Sequence, residues 1–126
     1  GSEMCIRDSL EFLYTIRNKL NKKYMYSVLE KVGLEPRSKI PVGKYSLGMR
    51  QRLAIGQAIM ENPDILILDE PMNGLDKNGV QEMRGLFEQM KNEGKLIILA
   101  SHNREDIDVL CDEVYEMENG ILKKRR

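Results

Sequence analysis

The chain has 126 residues, and its 20 basic and 20 acidic side chains cancel to a net charge of zero. This length is enough for one domain with a single core, and the neutral charge gives no electrostatic reason to expect nucleic-acid binding. The longest aliphatic runs, Ile65–Leu68 and Leu96–Ala100, are far shorter than the ~20 residues that a membrane-spanning helix needs. Cys5 and Cys111 fit no metal-binding spacing, which indicates free thiols.

The first half of the chain is predicted to be helical after residues 1–9, which fit no later pattern and are typical of a tag or cloning artefact. Apolar residues recur at helical spacing over Leu10–Leu20 and again from Met25 to Val32, which predicts two amphipathic helices followed by a loop. A third helix is predicted from Leu47 to Met60.

The second half alternates between strands and helices. The predicted elements are a buried strand over Ile65–Asp69, a helix over Gly79–Glu93, a buried strand over Leu96–Ala100, a short helix over Asn103–Leu110 and a strand over Val114–Met117. Asn119-Gly120 is predicted to be a turn, and Lys123–Arg126 a solvated basic tail. This order favours a parallel sheet with right-handed crossover connections.

Two adjacent carboxylates, Asp69 and Glu70, end the first predicted strand, and Pro71 follows them. Open α/β folds bind ligands at the carboxyl ends of their strands. Because successive strand residues point to opposite faces, we expect the two carboxylates to have different tasks. Asp69 would help to hold Mg²⁺ through its water shell, and Glu70 would polarise a water for attack on a terminal phosphate. Taken alone, a solvated turn explains the pair equally well.

Ser46 and Gly48 form a candidate anion site at the start of the predicted third helix. Ser46 is a suitable N-cap, Gly48 allows close backbone approach, and the free amides of a helix N-terminus attract anions. A capped helix start without a ligand is the alternative.

His102 is the only histidine in the chain and follows the predicted strand Leu96–Ala100. It would therefore lie on the same edge of the sheet as Glu70, where it would contact the terminal phosphate and orient the attacking water. Without the other motifs, a loop histidine with no function is the better interpretation. Asp76 is predicted to be the N-cap of the helix that follows it.

Together these motifs resemble the ATP-binding subunit of ABC transporters over roughly residues 10–122. The matching segments are Tyr45–Gln51 for the signature motif, Ile65–Glu70 for the Walker B strand with its catalytic glutamate, Asn73–Asp76 for the D-loop and Ser101-His102 for the switch histidine. The residues of these motifs are most similar to those of bacterial ATPase subunits that serve drug, bacteriocin or lantibiotic exporters.

The resemblance implies that the chain takes part in ATP hydrolysis with Mg²⁺. It implies that Ser46 and Gly48 bind the γ-phosphate of ATP that is held by the opposite subunit. Asp69 would order Mg²⁺, Glu70 would activate the attacking water, and His102 would act as the switch. Asp76 would lie across the dimer interface and link the two sites. It also implies a homodimer or heterodimer of ATPase subunits, a membrane-spanning permease as partner, no nucleic acid, and a place on the cytoplasmic face of the cell membrane.

Two departures from the family pattern matter. Leu47 and Met49 replace the glycine and glutamine of the commonest signature wording, and no Gly-x-x-x-x-Gly-Lys-Ser/Thr phosphate loop occurs in the sequence. We therefore expect an α/β chain with a partial P-loop NTPase fold of the ABC type, a parallel sheet with crossover helices and an amino-terminal helical subdomain. The helical subdomain with the signature motif is predicted over residues 10–62, and half of the α/β core over 63–126. This chain alone is expected not to hydrolyse ATP, because the phosphate loop supplies most of the phosphate binding.

Two alternative functions remain open at this point. The first is an ABC-type ATPase that acts on DNA or ribosomes, against which the neutral charge and the lack of a basic arm argue. The second is a half-module that does not hydrolyse ATP and donates its signature helix to a partner that carries the phosphate loop.

Overall fold

The computed structural model describes residues 21–126, so residues 1–9 and the helix predicted over Leu10–Leu20 lie outside the described part. The elements in chain order are α1 (Lys22–Lys31), a short 3-10 helix (Val42–Lys44), α2 (Leu47–Ile59), β1 (Ile65–Asp69), α3 (Lys77–Asn92), β2 (Leu96–Ala100), α4 (Arg104–Leu110), β3 (Tyr115–Glu118) and β4 (Ile121–Lys124). Within residues 21–126, no helix has the length and apolar character needed to cross a membrane.

The hydrophobic core joins the helical segment to the α/β segment. Its fully buried side chains come from both: Met25, Val28, Leu29, Val32, Ile55 and Met83. Gly56 lets α1 and α2 approach closely, since a Cβ placed there would lie 3.5 Å from a methyl group of Val32. The amphipathic face predicted for α1 therefore packs against α2 in a core that also contains Leu66 and Leu68 of β1, while the division at residue 62 stays a prediction.

The first two strands form a parallel pair, as predicted. Ile65 lies opposite Leu96, and the register continues to Asp69 opposite Ala100. The helix α3 connects the two strands, which is the crossover that parallel pairing requires. This connection brings the carboxyl ends of β1 and β2 to one edge of the sheet.

The prediction that both strands are buried is wrong for one face of this sheet. Leu66 and Leu68 are buried, but the alternate side chains of the two strands are 49–72% exposed: Ile65, Ile67, Leu96 and Ile98. Continuous aliphatic strands are typical of sheets covered on both faces. Within the described residues the second face carries no covering layer, so the two strands present an exposed apolar surface.

The third predicted strand does not join the parallel sheet. Instead, β3 pairs with β4 as an antiparallel hairpin, with Tyr115 opposite Lys124 and Glu118 opposite Ile121. Asn119 and Gly120 form the two-residue turn, and both have positive φ angles, 51° and 77°. That geometry is typical of a type I′ hairpin turn, for which Asn-Gly is a preferred pair.

The prediction of a basic tail over Lys123–Arg126 is also wrong, because Lys123 and Lys124 belong to β4. Arg125 then forms an ion pair with Glu116 on the opposite strand. Arg126 donates a hydrogen bond of 2.6 Å from its guanidinium to the backbone carbonyl of Cys111. Basic side chains on an exposed hairpin can make such cross-strand pairs, so charge density alone did not distinguish this strand from a tail.

Candidate functional site at the carboxyl edge of the parallel strands

Glu70 and His102 meet at the edge of the sheet where β1 and β2 end. The Nδ1 atom of His102 lies 2.6 Å from Oε1 of Glu70. The backbone N–H of His102 donates to the same carboxylate oxygen at 2.8 Å. The expectation that these two residues share one sheet edge is therefore confirmed by their geometry.

The backbone of Glu70 adopts an unusual conformation, with a φ of +46°. A side chain in this left-handed region carries a conformational cost, and such residues are enriched at functional sites. The Glu70 N–H donates to the Ala100 carbonyl at 2.8 Å, which extends the strand pairing by one residue. The Glu70 carbonyl accepts from the N–H of Asn73 at 3.1 Å and from Nε2 of Gln51 at 2.9 Å.

The hydrogen bond from the His102 side chain lowers the pKa of Glu70 below its ordinary value of 4.5. Partial desolvation acts in the opposite direction, and the backbone N–H of His102 adds to the lowering. Glu70 is therefore ionised at neutral pH, so its carboxylate can accept a proton. The His102 side chain is fully exposed and that of Glu70 is 37% exposed, so the pair is open to solvent within the described structure.

We predict that this contact makes the stability of the chain depend on pH. Because the pKa of Glu70 is lower in the folded state, its contribution is present above pH 4.5 and is lost as the pH falls through the folded-state pKa. The difference in unfolding free energy between the chain and Glu70→Gln should therefore shrink between pH 7 and pH 3. Urea unfolding followed by circular dichroism measures this difference, with Glu118→Gln on exposed β3 as the control. A difference that stays constant with pH would contradict the prediction.

Asp69 is the last residue of β1, and its side chain is exposed at the same edge. Residues 21–126 contain no cluster of three or more His, Cys, Asp and Glu side chains that could hold a metal ion. Mg²⁺ is commonly bound by one or two carboxylates, with water and substrate phosphates completing its coordination. A single exposed carboxylate at Asp69 therefore fits a nucleotide-bound Mg²⁺ and does not fit an all-protein metal centre.

The start of α2 packs against the loop that follows β1. Ser46 is the N-cap, as predicted, since its Oγ accepts from the N–H of Met49 at 3.1 Å. A Cβ at Gly48 would lie 3.0 Å from the Gly74 carbonyl oxygen, and a Cβ at Gly74 would lie 2.6 Å from Cγ of Leu47. Gly48 thus has a packing role in addition to the close ligand approach that the sequence predicts.

Asp76 caps the next helix, as predicted. Its Oδ1 accepts from the N–H of Gly79 at 2.7 Å, so α3 begins at Lys77 and not at the predicted Gly79. The described contacts therefore form two groups. Ser46 and Gly48 contact their own helix and the loop at Gly74, whereas Glu70 and His102 contact each other.

The contacts of two neighbouring residues of α2 were missed by sequence reasoning. Gln51 of α2 reaches the backbone of Glu70. Its neighbour Arg52 donates to the carbonyl of Val32, the residue that follows α1, at 3.0 Å and pairs with Glu82 at 2.6 Å, so it joins α2 to the end of α1 and to α3. Gln51 lies inside the segment that resembles the signature motif, but helical spacing alone does not indicate a bond to a residue 19 positions away.

Comparisons with known proteins agree with this arrangement. A family profile described as ABC transporter matches residues 3–73, more than half of the chain. The ABC transporter ATP-binding protein YybJ of Bacillus subtilis is 44% identical over 115 residues, which cover 91% of this chain and 53% of that protein. The lantibiotic transport ATP-binding protein SrtF of Streptococcus pyogenes is 47% identical over 99 residues, covering 77% of this chain and 43% of that protein.

A solved structure shows the same fold. It is cbiO1 of Clostridium perfringens, described as part of the ABC transporter complex cbiONQ, with a TM-score of 0.76 and 31% identity. The match covers 96% of this chain and 50% of cbiO1, so the chain spans about half the length of the relatives it matches. The expected α/β fold, a partial P-loop NTPase of the ABC type, is confirmed, and the chain belongs to the ABC transporter family of ATP-binding proteins.

Proposed function

We propose that this chain forms the part of an ABC ATPase that carries the signature motif and the catalytic carboxylate, and that the complete domain hydrolyses ATP to power export. The observation that carries the proposal is the contact between Glu70 and His102 where two parallel strands end. A carboxylate that is ionised at neutral pH and held in place by a histidine can accept a proton from water, although its lowered pKa makes it a weaker base than an unperturbed glutamate.

The proposed tasks divide between the two groups of residues. Glu70 accepts the proton of the attacking water, and His102 holds the carboxylate in place and faces the terminal phosphate. Asp69 is the proposed carboxylate for Mg²⁺, which when bound neutralises phosphate charge. Ser46 and Gly48 are proposed to face the γ-phosphate of ATP held by a second ATPase subunit, and Asp76 to lie near that subunit.

The exposed apolar face of the parallel strands supports the proposal that other strands complete this domain. Its four isoleucine and leucine side chains are about half exposed or more, and burial of apolar surface is a main stabilising contribution in folded domains. The matched relatives are about twice as long as this chain. We propose that the complete domain supplies both the covering layer and the phosphate loop, and that the chain by itself does not hydrolyse ATP.

The proposed partners are a second ATPase subunit and a membrane-spanning permease, and no nucleic acid. SrtF is named for lantibiotic transport and cbiO1 is part of a transporter complex, which supports an assembly of this kind. The chain would then work on the cytoplasmic face of the cell membrane. Purification from membranes with a permease supports this assembly, whereas purification with ribosomes or DNA supports the alternative ATPase.

A chimaera tests the proposed activity directly. The portion of YybJ that this chain does not span is joined to residues 10–126, and phosphate release from ATP is measured with and without Mg²⁺. We expect Mg²⁺-dependent turnover from the chimaera and none from residues 10–126 alone, with intact YybJ as the positive control. A chimaera that folds and binds ATP but releases no phosphate would contradict the proposal.

A further inference from the structure

We propose that Gln51 positions Glu70, an inference that rests on the catalytic role proposed for that glutamate. The left-handed backbone of Glu70, with its φ of +46°, is a conformation that neighbouring contacts must maintain. The turn itself supplies one such contact, from the N–H of Asn73 to the Glu70 carbonyl. A second contact comes from outside the turn, because Nε2 of Gln51 on α2 donates to the Glu70 carbonyl at 2.9 Å.

The chemistry of this contact fixes the orientation of the Gln51 amide. A backbone carbonyl can only accept, so the amide must present its Nε2 group and not its oxygen. The side chain is partly buried, and Leu53 and Ile55 of the same helix are buried in the core. Gln51 is therefore a donor on a firmly packed helix, which makes it suited to fix the position of a loop backbone.

The same helix is capped by Ser46, which is proposed to face the γ-phosphate of ATP held by the second ATPase subunit. Gln51 is five residues further along and contacts the residue that bears the proposed catalytic carboxylate. The hydrogen bond thus connects the phosphate-facing end of α2 to Glu70 through one rigid element. If Gln51 only anchored the loop, its loss would lower stability and leave the Glu70 carboxylate where it is.

A positioning role and a purely anchoring role for Gln51 predict different outcomes for the contact between Glu70 and His102. If Gln51 positions Glu70, loss of its hydrogen bond lets the backbone leave the left-handed conformation and weakens the bonds from His102 to the carboxylate. The backbone N–H of His102, which donates to the same carboxylate, should then exchange faster with solvent.

The experiment compares Gln51→Met with Gln81→Met in the full chain by nuclear magnetic resonance. Methionine matches the length of glutamine but cannot donate, and Gln81 is exposed on α3. We expect Gln51→Met to accelerate exchange of the His102 amide relative to the amides of β1, and Gln81→Met to leave this rate unchanged. A folded Gln51→Met chain in which the His102 amide keeps its original exchange rate relative to β1 would overturn the proposal.

A second measurement covers the case in which Gln51→Met does not fold. In the unsubstituted chain, the side-chain amide protons of Gln51 should exchange more slowly than those of Gln81, and their chemical shifts should respond to Glu70→Gln. Equal exchange rates and no response would overturn the proposal. None of these measurements uses ATP. A failure of the proposed ATPase function would therefore leave them unchanged, and it can be told apart from a failure of the positioning role of Gln51.

Discussion

Glu70→Gln is expected to lower ATP turnover by the YybJ chimaera by roughly 10²–10⁴-fold, the usual contribution of a general base. Glutamine has nearly the same shape as glutamate and can still contact His102, but it cannot accept a proton. The fold and the binding of ATP should therefore remain. Steady-state phosphate release measures the loss, and equilibrium binding of ATP shows that the site is still formed.

The matched control is Glu118→Gln, which makes the same chemical change on exposed β3. Its turnover should equal that of the unsubstituted chimaera. If Glu70→Gln hydrolyses ATP as fast as the control, then Glu70 does not activate water and the proposed catalytic assignment is wrong. If Glu70→Gln also loses ATP binding, the glutamate contributes to the structure of the site, and the reduced turnover is not evidence for a general base.

The second large effect concerns the ion pair between α3 and α4. Nε and Nη2 of Arg84 lie 3.1 and 2.6 Å from Oδ1 of Asp106. The two side chains are only 12% and 4% exposed. Removing one partner of a buried pair typically costs about 3–5 kcal/mol, and without Asp106 the Arg84 guanidinium would be left with the exposed Glu105 carboxylate, 3.9 Å away. Asp106→Ala is therefore expected to lower the unfolding free energy by about that amount, measured by urea unfolding of the chain.

Two further variants test whether loss of the ion pair causes the lower unfolding free energy of Asp106→Ala. Replacing both partners, as Arg84→Met with Asp106→Leu, should recover much of the loss, because apolar side chains of similar volume often replace a buried ion pair without net cost. Asp112→Ala removes the more exposed pair with Lys91, where the two side chains are 74% and 35% exposed, and should cost far less than Asp106→Ala. If Asp106→Ala costs no more than Asp112→Ala, the interpretation of a buried pair is wrong.

Local sequence patterns predicted the elements that frame the site. The aliphatic run at Ile65–Leu68 predicted β1, and the caps at Ser46 and Asp76 were recognised because short polar side chains before helices satisfy free amides. The alternation of strands and helices then placed Glu70 and His102 at one edge. Each of these inferences depends on neighbours in the sequence or on a general rule of parallel sheets.

The features that were missed are ones that residue spacing within a single element does not indicate. The pairing of β4 with β3 was not predicted because the basic residues after Leu122 looked like a tail, although Asn119-Gly120 marked the turn. The bond from Gln51 to Glu70 joins residues 19 positions apart and has no periodic signal. The exposed face of β1 and β2 was missed because continuous aliphatic residues predict burial on both sides.

The most direct test of the central claim is to read the source DNA upstream of the codon for Leu10. The account predicts an in-frame strand followed by a Gly-x-x-x-x-Gly-Lys-Ser/Thr loop, which would supply the missing phosphate-binding half of the domain that Glu70 serves. A start codon close to Leu10, with no such loop upstream, would contradict the account. The catalytic assignment would then fail for this chain, and the half-module that only donates its signature helix would replace it.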